Sequence, residues 1–460
     1  MTGGGVAAKE TFGRAPGGSA ARGKGAIDLA VLFALKIAVG AYVLSVGFTH
    51  VSDDDYARVV IAQQFAHHPA LDPSGTSWLP FPFWVTGGAM LAYGRSLAVA
   101  RGVAWALGAL SVAAPYLAMR AVGCGRATAV GAIAVALALP WSAWLGVATV
   151  PEAMTACLVA AGAIAVSSPR ARPAAACALL AASLSRYEAW PACLIFAVAS
   201  LFAARREKEA SKGSLIAIAV AVAGPLGWMT WNALAHGSAF HFVARVAAYR
   251  QAIGAAAVPL AEKLTAFPFA LASTAAPVLA LAAVGALALP FDAPLRRRWL
   301  PPLSAAVAIL AFLVYGDVRD GAPTHHPERA VLPILWILVP FAADSLRALA
   351  RRVAWGHPKR EMWVFGLGVA AAVAWLALLP AQLRDAPGLS EAERRDAQIA
   401  RGEELAASAS PSESWTVAPC AYEHFALLAA TGEPERFTIL PPTHTPLTAL
   451  CPHVEANVAH

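Results

Sequence analysis

Apolar stretches recur along this chain, several of roughly 18 or more residues with few charges, long enough to cross the hydrocarbon core of a bilayer as helices. A backbone in lipid must satisfy its own hydrogen bonds, so such stretches fold as helices packed on one another. Runs at 27–49, 97–122, 127–145, 151–166, 173–184, 189–202, 214–234, 266–289, 299–315, 330–343 and 362–379 make about eleven spans. The short pair at 173–184 and 189–202 reads equally as a re-entrant hairpin, which leaves the topology downstream unchanged. Only 14% of the 460 residues are charged, against about a quarter in a soluble domain. The expected fold is an all-α polytopic membrane protein.

Charge placement orients the bundle. With the N-terminus inside, most of the 35 Lys and Arg residues fall in short segments on that side. Lys9, Arg14, Arg120, Arg126, Arg205, Arg206, Arg296, Arg297, Arg298, Arg347, Arg351 and Arg352 are among them, as the positive-inside rule requires. The net charge of +7 is then a topology signal, and no nucleic-acid partner is needed to explain it. The expected location is the inner (plasma) membrane, with a cytoplasmic N-terminus and an extracytoplasmic C-terminal region.

Residues 1–26 are rich in Gly, Ala and basic residues and read as a disordered cytosolic tail. The first apolar run is too long, and its outer flank too acidic, for a cleaved signal peptide; it reads as a retained signal-anchor. Lys36 within it is expected to face the bundle or to snorkel. Residues 27–381 form the expected transmembrane domain, with a large first outer loop at 50–96. Residues 382–460 are polar and read as a small α/β appendage, with helices at 389–405 and 421–430 and strands at 414–418 and 437–440. Cys420 and Cys451 fall in it; they pair in an oxidising compartment or stand as two unrelated thiols. Cys124, Cys157, Cys177 and Cys193 lie in or beside spans without CxxC spacing, which disfavours a cysteine metal site.

The outer segments hold the ionisable chemistry. Asp53, Asp54 and Asp55 follow the first span consecutively. Neighbouring carboxylates resist one another's ionisation and favour a proton or a cation. Asp53 and Asp55 make a D-x-D pair able to hold a divalent metal. The bland reading is a helix start, with Ser52 or Asp53 as cap and Asp54 and Asp55 complementing the dipole. The helix at 56–65 is expected to lie along the interface, and Trp78, Phe81, Phe83 and Trp84 to join an aromatic belt.

Three further groups stand at the mouths of spans: Glu152 after Pro151, the run Ser185-Arg186-Tyr187-Glu188, and the segment from Asp317 to Arg329. Arg186 and Arg329 offer guanidinium forks that match phosphate oxygens; the alternative pairs Arg186 with Glu188 or Glu152, and Arg329 with Glu328. His67, His68, His325 and His326 are either zinc ligands or ordinary surface and hydrogen-bonding residues. No GxxxxGK[ST] loop occurs, which argues against ATP.

In layout the chain resembles the GT-C superfamily of polytopic glycosyltransferases, the group of protein O-mannosyltransferases and aminoarabinose-lipid A transferases. The family's acidic motif after the first span is matched by SDDDYAR, its Arg-aromatic-acid motif by Arg186-Tyr187-Glu188, and its late Arg before a Pro-containing span by Arg329 in HPERAVLPILW. The chain departs from the commonest forms in having Asp-Asp-Asp rather than Asp-Glu and no tyrosine directly after Arg329. The resemblance implies a polyprenyl-phosphate sugar donor and a lipid, glycan or protein acceptor. It implies Asp54 as base, with Asp53 and Asp55 orienting the acceptor or holding a divalent metal. Glu152, Arg186, Tyr187, Glu188, Arg329 and His326 would then line the substrate site. The rival classes are a transporter or flippase of lipid-linked sugars, a surface-polysaccharide polymerase or ligase, and a noncatalytic scaffold. A transporter would gather its charges near mid-bilayer in two related halves; a scaffold needs no acids and arginines at several loop mouths.

Overall fold

The computed structural model describes residues 20–206, 211–252, 258–321, 326–353, 378–410, 413–418, 424–440 and 453–457. Every apolar run within them is helical. The run at 362–379 lies almost wholly outside the described residues, as do the tail at 1–19, His325, Cys420 and Cys451.

The membrane helices are α1 (Ala20–Ser45), α4 (Leu97–Ser111), α5 (Ala113–Ala121), α6 (Arg126–Leu137), α7 (Pro140–Leu145), α8 (Glu152–Ala165), α9 (Arg172–Ser183), α10 (Trp190–Arg206), α11 (Ser211–His236), α13 (Leu260–Ala286), α14 (Ala293–Val318) and α15 (Pro327–Val353). The segment between α1 and α4 adds α2 (Asp54–His67) and α3 (Phe81–Tyr93), and α12 (His241–Ala252) follows α11. Helix α1 thus begins several residues before the expected start of the first span. Two expected spans are broken in the middle. Pro115 displaces the carbonyl four residues back, at Ser111, which separates α4 from α5. Pro140 sits in the first turn of α7 and ends α6 in the same way.

Among the described residues, seven helical segments are long and apolar enough to cross a membrane, and the chain is an integral membrane protein. Helices α6, α8 and α9 are shorter, at 12, 14 and 12 residues. Helix α8 lies at the centre of the bundle: apart from Leu158, every residue in it is buried. Helix α15 is its neighbour and is 83% buried over its most apolar window, far above the 28–33% of the other candidate spans. The first residue of α8 is Glu152, and Arg329 sits in the first turn of α15. The two most enclosed helices therefore present charge at the same end. Small residues allow this density: a Cβ on Gly108 of α4 would stand 2.5 Å from the Gly146 carbonyl.

Lys36 faces the bundle. It is 1% exposed, and its Nζ lies against Gly146 with no hydrogen-bond partner.

At the end of the bundle that carries Glu152 and Arg329 the chain departs from expectation in two places. Helix α2 does not lie open along the interface. Residues Asp55, Tyr56, Ala57, Arg58, Val59, Val60, Ala62, Gln63 and Ala66 are all buried, because α3 covers one side and the C-terminal segment the other. The aromatic stretch around Pro82 is the start of α3, since proline suits the first helical turn. Beyond the bundle, α16 (Ala392–Ser408) and α17 (His424–Thr431) pack on each other. Beside them is a three-stranded sheet in the order β2-β1-β3. The central β1 (Ser414–Ala418) runs parallel to β2 (Phe437–Ile439) and antiparallel to β3 (His453–Asn457), a strand not expected from the sequence. Tyr56, Val59, Val60, Met90 and Leu97 share one apolar core with Trp415, Val417, Leu427, Leu428 and Phe437. Gln63 donates through Nε2 to the carbonyls of Arg95 (2.9 Å) and Ala429 (2.7 Å), across the same seam.

Candidate active site

The three aspartates at the start of α2 point to three different surroundings, as successive residues of a helix must. Asp53 occupies the N-cap position but makes no capping bond. Its carboxylate receives the Arg395 guanidinium instead, Nε to Oδ1 at 2.8 Å and Nη2 to Oδ2 at 3.0 Å. Asp55 turns inward and is 2% exposed. Its Oδ2 accepts from the amides of Val51 (3.1 Å) and Ser52 (3.2 Å), and its Oδ1 from the amide of Thr149 (3.1 Å). The Thr149 hydroxyl donates in turn to the Asp55 carbonyl at 2.8 Å. Burial pushes the Asp55 carboxyl up to about 6, against the opposing pull of Arg329 and the backbone donors. Asp54 stands between them with its side chain 42% exposed and one oxygen 3.4 Å from Arg329 Nη1.

Glu152 anchors the basic groups. Its Oε1 accepts from Arg186 Nη1 at 2.6 Å and from Arg329 Nε and Nη2 at 2.9 and 2.5 Å. The second oxygen, Oε2, is buried with no hydrogen-bond partner. Arg186 also grips Glu188, with Nη2 at 2.5 Å and Nε at 3.1–3.2 Å. Burial opposes the Arg186 charge, but Glu188 and Glu152 hold its guanidinium above the ordinary value. Arg329 reaches the aspartate motif through Nη1, at 3.2 Å from Ser52 Oγ. The structure shows the ion-pair alternative for the arginines: Arg186 pairs with Glu152 and Glu188, while Arg329 pairs with Glu152 and Asp54 rather than Glu328.

Arg58 completes the group and escaped the sequence reading. It lies four residues after Asp54, one helical turn on, and is 6% exposed. Its carbon Cζ stands 4.4 Å from the Trp78 ring centre and 5.7 Å from that of Phe83. Its Nε and Nη1 are buried without hydrogen-bond partners. Burial pulls this guanidinium down to about 10, with Glu152 and Asp54 resisting. A void of about 10 Å³ adjoins it, lined by Val59, Phe83, Thr86 and Thr149 among others. The available signal was SDDDYAR itself, where a cation follows the acids by a helical turn.

The remaining expected residues have other neighbours. The Tyr187 hydroxyl donates to the Ser77 carbonyl (2.8 Å) and accepts from Trp228 Nε1 (3.1 Å). Its ring stacks on Phe242 at 4.5 Å. Tyr187 therefore fastens the segment between α2 and α3 to α11 and α12. His326 has a positive φ of 54° and tilts against Trp141 at 5.5 Å. His67 lies 3.5 Å from Glu435. The D-x-D pair does not close on a common point, since Asp53 is spent on Arg395 and Asp55 on backbone amides. Among the described residues, no group of three His, Cys, Asp or Glu side chains is placed to hold a metal ion.

No family model and no curated protein matches the chain. Solved structures do. The apo structure of ArnT from Cupriavidus metallidurans superposes with a TM-score of 0.54 at 14% identity, covering 92% of this chain and 90% of that one. The structure of the same protein bound to undecaprenyl phosphate gives 0.55 at 16% identity, covering 91% and 90%. The chain therefore has the fold of ArnT over nine-tenths of its length.

Proposed function

We propose that the protein is a membrane glycosyltransferase, moving a sugar from a polyprenyl-phosphate carrier to an acceptor hydroxyl or amine on the outer side of the membrane. The observation that carries this reading is the convergence of Asp54, Glu152, Arg186, Arg329 and Arg58 at one end of the bundle. Of the three aspartates, Asp54 is the one whose carboxylate is both accessible and beside the arginines.

In the proposed step, the acceptor attacks the anomeric carbon and loses its proton to Asp54. The bond from that carbon to the phosphate oxygen breaks, and its electron pair stays on the phosphate. Polyprenyl phosphate leaves. Arg58, Arg186 and Arg329 supply the positive field in which that charge develops, and Glu152 fixes the aim of two of them. The solved ArnT complex contains undecaprenyl phosphate, a ligand of this class, which supports the choice of carrier. Donor sugar and acceptor are left as classes. The extracytoplasmic position of the site rests on the charge pattern of the loops.

The test is to incubate purified protein with a panel of polyprenyl-phosphate sugars and to measure released carrier phosphate and glycosylated acceptor. Asp54→Asn is expected to abolish release while leaving expression and membrane insertion intact. Full activity in that variant would remove Asp54 as base. Movement of the intact donor across vesicles without release would assign the protein to the flippases.

A further inference from the structure

A second cavity lies at the other end of the bundle from Asp54. It has a volume of about 440 Å³ and is lined by Gly123, Gly125, Asp292, Arg298, Asp344, Arg347 and Arg351 among others. Its place follows from α15, whose first turn holds Arg329. Asp344 and Arg351 follow Arg329 by 15 and 22 residues on that helix. At 1.5 Å per residue these are roughly 22 and 33 Å away, about the thickness of the hydrocarbon core. The cavity therefore opens at the opposite membrane face, the one the loop charges assign to the cytosolic side.

Its arginines are not ordinary loop charges. Arg296 and Arg297 are exposed, as residues that only set topology should be. Arg298 and Arg347 are drawn inward onto a glycine floor. A Cβ on Gly125 would collide with Arg347 Nη1, and one on Gly123 would stand 3.6 Å from Arg298 Nη2. Gly123 also has φ +86°, a conformation that side chains disfavour. The two acids of the lining are already engaged. Asp344 accepts from Arg298 Nη1 (2.6 Å) and Trp299 Nε1 (2.9 Å). Asp292 caps α14 by accepting from the Leu295 amide at 2.9 Å. Arg347 is steadied by a neutral group, Thr128 Oγ1 at 2.9 Å. Arg351 is exposed at the rim. Among the described residues Arg347 and Arg351 form no ion pair, and with Arg298 matched to Asp344 and Asp292 as the other acid the lining keeps a net positive charge beside a cavity of small-molecule size, within the range of about 300–1,000 Å³.

We propose that this cavity is a phosphate-ester site, filled by the headgroup of an anionic phospholipid of the adjoining leaflet or by a soluble phosphate. Arginine forks over a glycine floor suit phosphate oxygens, and basic pockets between spans at this face are where anionic headgroups gather. The site is separate from the transfer chemistry and does not depend on it.

The experiment uses full-length protein in neutral detergent, with thermal unfolding and native mass spectrometry as readouts. Phosphatidylglycerol, phosphatidylcholine and sn-glycerol 3-phosphate are added in turn to wild type, to Arg351→Ala and to Arg347→Ala. Phosphatidylglycerol is expected to bind and to raise the unfolding temperature where phosphatidylcholine does not. A loss of about tenfold in affinity is expected for each variant, as for removal of one charged hydrogen bond. Binding of glycerol phosphate with the same dependence on Arg351 and Arg347 would identify the soluble source. Arg351→Ala removes an exposed side chain, so its fold is preserved even if Arg347→Ala is poorly behaved. Equal binding of the two lipids, or unchanged binding in Arg351→Ala, would overturn the proposal.

Discussion

Arg395 closes on Asp53 with a two-pronged pair at 2.8 and 3.0 Å, across 342 positions of sequence. The last part of the chain thus holds the first residue of the acidic motif. Arg395 is 1% exposed at its side chain and Asp53 25%, with Glu391 sharing the guanidinium at 3.0 Å. Arg395→Ala is expected to lower stability by about 1.5–3 kcal/mol, the worth of a charged hydrogen-bonded pair. Thermal unfolding in detergent checks the loss. Limited proteolysis should show faster cleavage near α16 than in wild type.

Arg58 separates function from stability. A buried guanidinium with two unpartnered nitrogens costs the fold energy, and a side chain of similar volume without charge does not. Arg58→Met is expected to raise stability by on the order of 1–3 kcal/mol and to slow transfer by about 100-fold or more. A variant that loses both stability and activity would show that Arg58 is a packing residue only.

Glu152 is expected to behave in the opposite way. It joins Arg186 and Arg329, both inside the protein, so its loss removes the carboxylate they share and leaves Arg329 with only a 3.4 Å ion pair to Asp54. Glu152→Gln is expected to cost about 3–5 kcal/mol, read as a lower unfolding temperature, together with loss of transfer. Lys36→Met provides the contrast within the bundle. It removes a lone buried ammonium and is expected to raise the unfolding temperature by a few degrees, roughly 1–3 kcal/mol.

Asp55 predicts a pH dependence. Its carboxyl is raised from 3.8 to about 6 in the fold, chiefly by burial, so the folded state favours the proton. Its contribution is fully present below the unfolded value, falls as pH rises towards 6, and is lost above that. The span corresponds to about 3 kcal/mol. His50 works in the other sense. Burial, with Arg395 and Arg101 nearby, pulls it down to about 4 from 6.5, so its contribution is present above 6.5 and falls as pH drops towards 4. The two oppose each other in wild type. Asp55→Asn is expected to be less stable throughout, because its amide must face a backbone donor. Its unfolding temperature should also fall more steeply between pH 6 and 4, with only the His50 effect left. A pH profile parallel to that of wild type would remove Asp55 as the source.

Much of this was legible in the residues, and the exceptions have physical causes. The apolar runs mark their helices because lipid leaves the backbone no alternative. The strands at Ser414–Ala418 and Phe437–Ile439 were visible from β-branched and aromatic side chains bounded by turn residues. Helix α3 was hidden because Trp78, Phe81, Phe83 and Trp84 read as an interface belt, although Pro82 is well placed in a first turn. The division of labour among Asp53, Asp54 and Asp55 was not legible. Their identities are the same, and what distinguishes them is Arg395, Arg329 and Thr149, remote in sequence. Arg58 was overlooked although Asp54 precedes it by one turn of α2: what the residues around it do not show is its burial against Trp78 and Phe83 and its approach to Glu152 of α8.

The apolar core shared by α2 and the C-terminal segment also sets an order of manufacture. Synthesis runs from the N-terminus, so Val59, Val60 and Met90 are in place long before Trp415, Leu427 and Phe437 exist to cover them. During that interval a greasy seam stands bare, open to misassembly or to a protective chaperone. A transcript cut short after the membrane helices would leave this seam uncovered for good, so quality control at that membrane face has a ready mark of an unfinished chain.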